Sequence, residues 1–160
     1  METIQYGSAE EGDIPSIQET ARASWQATYS NIFPAEFITN FLSRHYSPES
    51  LRAVMRSSRS NFLVARAGAR VIGFCNFGEA ISGEGHQLYR LYLDPAYWRH
   101  GIGGKLLGMM EERLREQGVS AYFCYVHGEN EVGKAFYVKQ GFAHNPARDV
   151  DEEWFMRKEL

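Results

Sequence analysis

The chain has 160 residues, 44% of them hydrophobic, 14% aromatic and 23% charged. That length and mix describe one folded domain over residues 1–160 that buries a full core without disulfides, and they exclude disorder. Seventeen Lys+Arg against twenty Asp+Glu leave a net charge of -3, so bulk charge gives no reason to expect a nucleic-acid partner.

A short strand is predicted at 2–6. From Asp13, placed to cap, Ile14, Ile17, Ala21 and Trp25 recur at helical spacing. Asn31 to Pro34 breaks that helix; Phe37, Ile38, Phe41 and Leu42 mark a second. Ser47-Pro48 reads as N-cap and first position of a third helix carrying Leu51, Val54 and Met55. The period then changes to two. Strands are expected at 61–66 and 70–77, split by a tight turn at Ala67-Gly68-Ala69, and at 87–93, stopped by Asp94-Pro95. Leu106, Leu107, Met110 and Leu114 mark a helix ending at Gly118, followed by a strand at 119–126 and a helix at 131–140. Gly141-Phe142 opens the C-terminal strands, the last near 154–159. The fold class is α+β: a mixed, mostly antiparallel sheet of about six or seven strands with helices on both faces.

Cys75 and Cys124 lie in apolar strand-like runs and read as buried thiols, which suits a reducing cytoplasm. The acidic start METIQYGSAEEGD has no apolar h-region, and no run approaches the ~18 apolar residues of a membrane span, so neither a signal peptide nor a membrane is expected. The five histidines show no metal-ligand spacing, and no metal is expected.

The most informative stretch is LYRLYLDPAYWRHGIGGKLL, from Leu88 to Leu107. A strand ends at a proline, and Gly101, Gly103 and Gly104 open a helix whose first N–H groups have no intrahelical partners. Those amides and the helix dipole suit a phosphate, with Arg99, His100 and Lys105 able to add positive charge. A dinucleotide fingerprint needs Gly at 106 and a P-loop needs Gly at 99 and Ser/Thr at 106; the chain has Leu106 and Arg99. Taken alone, the glycines are equally a means of relieving crowding between strand and helix.

A second segment agrees with the first. Leu91-Tyr92-Leu93-Asp94-Pro95 with Gly101-Ile102-Gly103, followed by Asn130, Gly133, Phe136, Tyr137, Lys139, Gly141 and Phe142, resembles the two signature blocks of the GNAT superfamily of acyl-CoA-dependent N-acetyltransferases. There are two departures. Trp98 stands where that family has Gln or Arg, and Gly133 stands where it has Ala. The resemblance implies acetyl-CoA as cosubstrate. Backbone groups of Leu91, Tyr92 and Leu93 would pair with the pantetheine arm, and the loop of Arg99, His100, Gly101, Ile102, Gly103 and Gly104 would hold the pyrophosphate. Asn130 would bond the cofactor from the far side, and Tyr137 would protonate the departing thiolate. No base is assigned: Glu79, Glu84, His86 and His127 are candidates, as is a water relay. In this family the acceptor pocket is built by the N-terminal helices, here ASWQATYSNIFPAEFITNFL. Similar fronts occur in branches resembling spermidine acetyltransferases. Tyr29 and Phe33, at the helix break, are expected to line the pocket, Trp25 and Phe37 to be core. Glu36, Glu79 and Glu84 are available for a cationic polyamine. Other small amines, amino-acid derivatives and a protein N-terminus or lysine stay open as acceptors, as does a non-catalytic acyl-CoA sensor. Dimers are frequent in the family, so a homodimer is compatible.

Overall fold

A computed structural model describes residues 2–160. β1 (Ile4–Ser8) leads through a short turn into α1 (Ile14–Tyr29), α2 (Ala35–His45) and α3 (Pro48–Arg56). β2 (Ser60–Ala67), β3 (Arg70–Glu79) and β4 (His86–Leu93) follow, then α4 (Ile102–Glu116), β5 (Ala121–His127), α5 (Glu131–Lys139), β6 (Ala143–His144) and β7 (Glu153–Glu159). The strands form a seven-stranded sheet in the order β1-β2-β3-β4-β5-β7-β6. Every pairing is antiparallel except β4 with β5.

Period-two alternation decides which residues meet which helices. From the central strands Leu63, Cys75, Leu88, Cys124 and Met156 pack with Leu106, Leu107 and Met110 of α4 and Tyr137 of α5. Val64 and Phe74 face the other way, onto Ile14, Ile17 and Ala21 of α1 and Leu51 of α3. Both cysteines are buried and unpaired. No helix among the described residues is long and apolar enough to cross a membrane.

The predicted elements occur in the predicted order, with local corrections. β1 begins two residues later than expected. β5 starts at Ala121 rather than 119, because the chain first closes α4: Gly118 takes φ 79° and the Val119 N–H bonds the Leu114 carbonyl. Ser47 caps α3 as expected, its hydroxyl accepting from the Ser50 N–H at 3.1 Å. Asp13 does not cap α1. Its carboxylate instead accepts from the Glu10 N–H at 2.8 Å and from Arg66 on β2 at 2.5 and 3.1 Å. A buried carboxylate needs that counter-charge more than a helix whose second residue is Pro15 needs another acceptor.

Candidate active site

β4 and β5 lie side by side only briefly: the parallel pairing is confined to Gln87↔Phe123 and Leu88↔Cys124. Just beyond, the β3–β4 register slips, with Asn76 opposite Arg90 but Phe77 opposite Leu88, so Tyr89 is an extra residue on β4. A bulge bends its strand and re-aims side chains. From Tyr89 to Leu93, β4 keeps its bonds to β3 while its other edge is open, and a cleft of about 830 Å³ fills the gap between the diverging strands. Leu91, Tyr92 and Leu93 line it.

The far end of the cleft is the glycine loop. Arg99 (φ 66°) and Gly101 (φ 78°) are both left-handed, which turns the chain sharply into α4. The first bond closing α4 runs from the Lys105 N–H to the Gly101 carbonyl at 3.1 Å, so the amides of Ile102, Gly103 and Gly104 precede the helical ladder. Gly103 and Gly104 also let α5 approach: a Cβ there would stand 3.2 Å from the Phe136 ring and 3.3 Å from Gln140. Both uses of glycine are therefore present, packing and open amides. Arg99, Gly101, Ile102, Gly103 and Gly104 border the cleft. His100 and Lys105 do not. His100 is exposed with Nδ1 2.9 Å from the Trp98 carbonyl, and the Lys105 ammonium lies 5.0 Å from the Tyr6 ring centroid on the sheet's outer edge. Trp98 borders the cleft and donates its indole N–H to the Leu93 carbonyl at 3.2 Å, joining the strand end to the loop.

α5 forms the other wall. Asn130 caps it, Oδ1 accepting from the Gly133 N–H at 2.8 Å, while Nδ2 donates to the Tyr29 hydroxyl at 3.3 Å. Gly133 makes this possible, since a Cβ there would fall 2.6 Å from Asn130 Nδ2. Tyr137 is buried beside the cleft, and no hydrogen bond engages its hydroxyl among the described residues. Burial pushes its phenol well above the usual range, as it does for Tyr92. The Tyr29 phenol is raised mainly by burial, against the Asn130 N–H.

A second cavity of about 830 Å³ opens under the N-terminal helices. Trp25 and Tyr29 of α1, Phe33 at the break, and Phe37 and Phe41 of α2 form one wall. Trp25 is buried in a core cluster with Tyr29 and Ile38, as expected, and also lines this cavity, whereas Phe37 is 44% exposed and is not core. Opposite stand Tyr125 and His127 of β5 and the acidic run Asp151, Glu152 and Glu153. The expected acids Glu36, Glu79 and Glu84 border neither cavity, and Glu79 faces Arg59 at 3.7 Å. Of the candidate bases only His127 reaches the cavity. Its Nδ1 accepts from the Glu129 N–H at 3.1 Å and its Nε2 lies 3.1 Å from the Glu152 carboxylate. That network assigns the proton to Nε2. The side chains of His127, Glu129 and Glu152 are thus gathered within 4.8 Å of one another, against the expectation from spacing alone. The two cavities meet: Tyr29, Leu88, Tyr89, Tyr92 and Tyr125 border both.

Residues 16–142 match the Acetyltransferase (GNAT) family. A spermidine N(1)-acetyltransferase of Thermoplasma acidophilum is 37% identical over 134 residues, 81% of this chain and 82% of that one. The crystal structure of PaiA N-acetyltransferase from the same organism, in complex with coenzyme A, superposes with a TM-score of 0.91 at 32% identity, covering 99% of both chains. The ribosomal-protein-S18-alanine N-acetyltransferase of Escherichia coli shares the fold, with a TM-score of 0.71 at 19% identity over 99% of this chain and 94% of that one. The chain belongs to the GNAT acetyltransferase family.

Proposed function

We propose that the protein transfers the acetyl group of acetyl-CoA to a primary amine of a small cationic molecule, a polyamine above all, with both substrates bound together. The observation that carries this reading is the shared wall of the two cavities: each substrate has its own opening, and they meet at Tyr29, Tyr92 and Tyr125. The PaiA protein, which shares this fold over 99% of both chains, was crystallised in complex with coenzyme A, and that supports coenzyme A as the occupant of the cleft here. The open edge of β4 offers backbone groups to the amide-bearing arm at Leu91 and Leu93, as an added strand would take them. The amides of the loop from Arg99 to Gly104 and the Arg99 guanidinium suit the pyrophosphate. His100 falls outside this set, and Lys139 and Gln140 join it.

The second cavity suits an ammonium ion. Aromatic faces attract cations through their quadrupoles, and a carboxylate rim supplies the counter-charge. Tyr29 and Phe33 serve as acceptor-binding residues in this reading, and Asn130 orients Tyr29. Tyr137 protonates the sulfur as the C–S bond breaks; its raised pKa keeps the phenol protonated at neutral pH, the state an acid must start from. Spermidine is acetylated by the 37% identical relative, which supports that acceptor here. The test is to follow free thiol from acetyl-CoA across polyamines, amino acids and short peptides. Release with polyamines and not with peptides is expected. Binding of acetyl-CoA without thiol release from any amine would mark the chain as a sensor instead.

A further inference from the structure

We infer that Glu153 is the general base, taking the proton from the substrate ammonium before the amine attacks the thioester. This rests on the acetyltransferase reading above and adds to it the residue that the sequence left unassigned. Glu153 borders the acceptor cavity and is half-buried, and no hydrogen bond or ion pair engages its carboxylate among the described residues. Its two acidic neighbours differ. Glu152 is 78% exposed and tied to His127, and Asp151 sits exposed at the tip of the turn with φ 52°.

The β5–β7 register fixes where Glu153 points. It pairs with His127, as Phe155 pairs with Tyr125, so all four side chains share the sheet face that the acceptor cavity covers. Its backbone is pinned on both sides of the turn, the Glu153 N–H bonding the Val150 carbonyl at 2.9 Å and the Val150 N–H the Glu153 carbonyl at 3.0 Å. Its charge reaches Tyr29, at the junction of the two cavities, and raises that phenol. His127 cannot do the same work, because both its nitrogens are committed. Across the cavity, the Trp25 indole N–H is buried without an acceptor.

The groups facing Glu153 are His127 and Tyr125 from β5, Tyr29 from α1, Tyr89 and Tyr92 from β4, and Asp151 and Glu152 from its own turn. Burial raises its carboxyl above the usual range, Glu152 adds to this, and His127 opposes it. A raised carboxyl is a stronger base toward an ammonium than an ordinary carboxylate.

The protons balance. The ammonium gives one to Glu153, and from there it passes to solvent. The neutral amine forms the new C–N bond as the C–S bond breaks. Tyr137 protonates the thiolate and recovers its proton from the nitrogen, which ends as the amide.

The experiment compares wild type with E153Q, using acetyl-CoA and spermidine. E153Q is expected to lower kcat by about 10²–10⁴-fold, to bind acetyl-CoA with unchanged affinity, and to lose the acidic limb of the kcat/KM profile. E153D, which keeps the carboxylate, retains that limb at reduced kcat and covers the case in which E153Q does not fold. In 13C-glutamate-labelled wild type, the Glu153 carboxyl should titrate above the ordinary range, and spermidine should lower it. An active wild type whose E153Q variant raises only the KM for spermidine, or keeps the acidic limb, overturns the base assignment and leaves the acetyltransferase reading standing. A wild type that binds acetyl-CoA but releases no thiol with any amine overturns both.

Discussion

Replacing Gly133 by Ala restores the residue that the family pattern has at this position, and substitutions toward such a pattern usually stabilise. Here the geometry predicts the opposite sign. In α5, Gly→Ala gains about 1 kcal/mol of helix propensity. The new Cβ, however, would stand 2.6 Å from Nδ2 and 2.9 Å from Cγ of Asn130, so that side chain must leave its place. Two interactions go with it. One is the cap on the Gly133 N–H, worth about 1 kcal/mol. The other is the bond to the Tyr29 hydroxyl, worth about 0.5–1.5 kcal/mol. The balance is a net loss of about 1 kcal/mol, or a Tm lower by about 2–4 °C in a domain of this size. The assay is a double-mutant cycle with Asn130→Ala, read by urea unfolding. In the Asn130→Ala background nothing obstructs the new methyl group, so Gly133→Ala should there stabilise by its propensity alone, a coupling of about 2 kcal/mol. If Gly133→Ala stabilises both backgrounds equally, Asn130 does not occupy the position described, and its hold on Tyr29 is refuted.

Tyr137→Phe should lower kcat by about 10²–10⁴-fold while leaving acetyl-CoA affinity and Tm nearly unchanged, because no hydrogen bond to the hydroxyl is lost; calorimetry and stopped thiol assays separate the two effects. Because burial raises the Tyr137 phenol, loss of the acid form should not limit kcat below the ordinary phenol range of about 10, and a basic limb well below that would contradict its role. Gly103→Asp should abolish acetyl-CoA binding, since it puts a negative charge among the open amides and a side chain against Phe136; normal affinity in a titration would refute the phosphate loop. For Glu153 the stability sign is also fixed. Its native carboxyl is raised, so the folded state holds the proton more tightly and stability falls as pH rises from the unfolded value through the native one. At pH 7 Glu153→Gln should therefore leave Tm equal or higher, and a clear fall would show that the carboxylate has a structural partner.

What could be read from the sequence was what lies close together along the chain. The cofactor half of the site consists of two local blocks, a strand-loop-helix from Leu91 to Gly104 and a capped helix from Asn130 to Phe142, and chain order alone places both. The acceptor half depends on pairing. Asp151, Glu152 and Glu153 look like a solvated turn until β7 docks on β5 and sets Glu153 opposite His127. Tyr89 gains its place from a bulge that no local pattern announces, and Tyr125 from the separation of β4 and β5. Side-chain direction was equally hidden. Lys105 and His100 sit within a residue or two of the glycines yet turn away, while Lys139, on another helix, borders the cleft. Phe37 lines a cavity and stays exposed instead of packing into the core, which helical spacing cannot reveal.

The most direct test of the acetyltransferase account is release of free thiol from acetyl-CoA by the purified protein, with and without spermidine. The account predicts release that needs the amine and saturates with it, yielding one acetylated amine for each thiol. Tight acetyl-CoA binding with no thiol release from spermidine or any other small amine would contradict it.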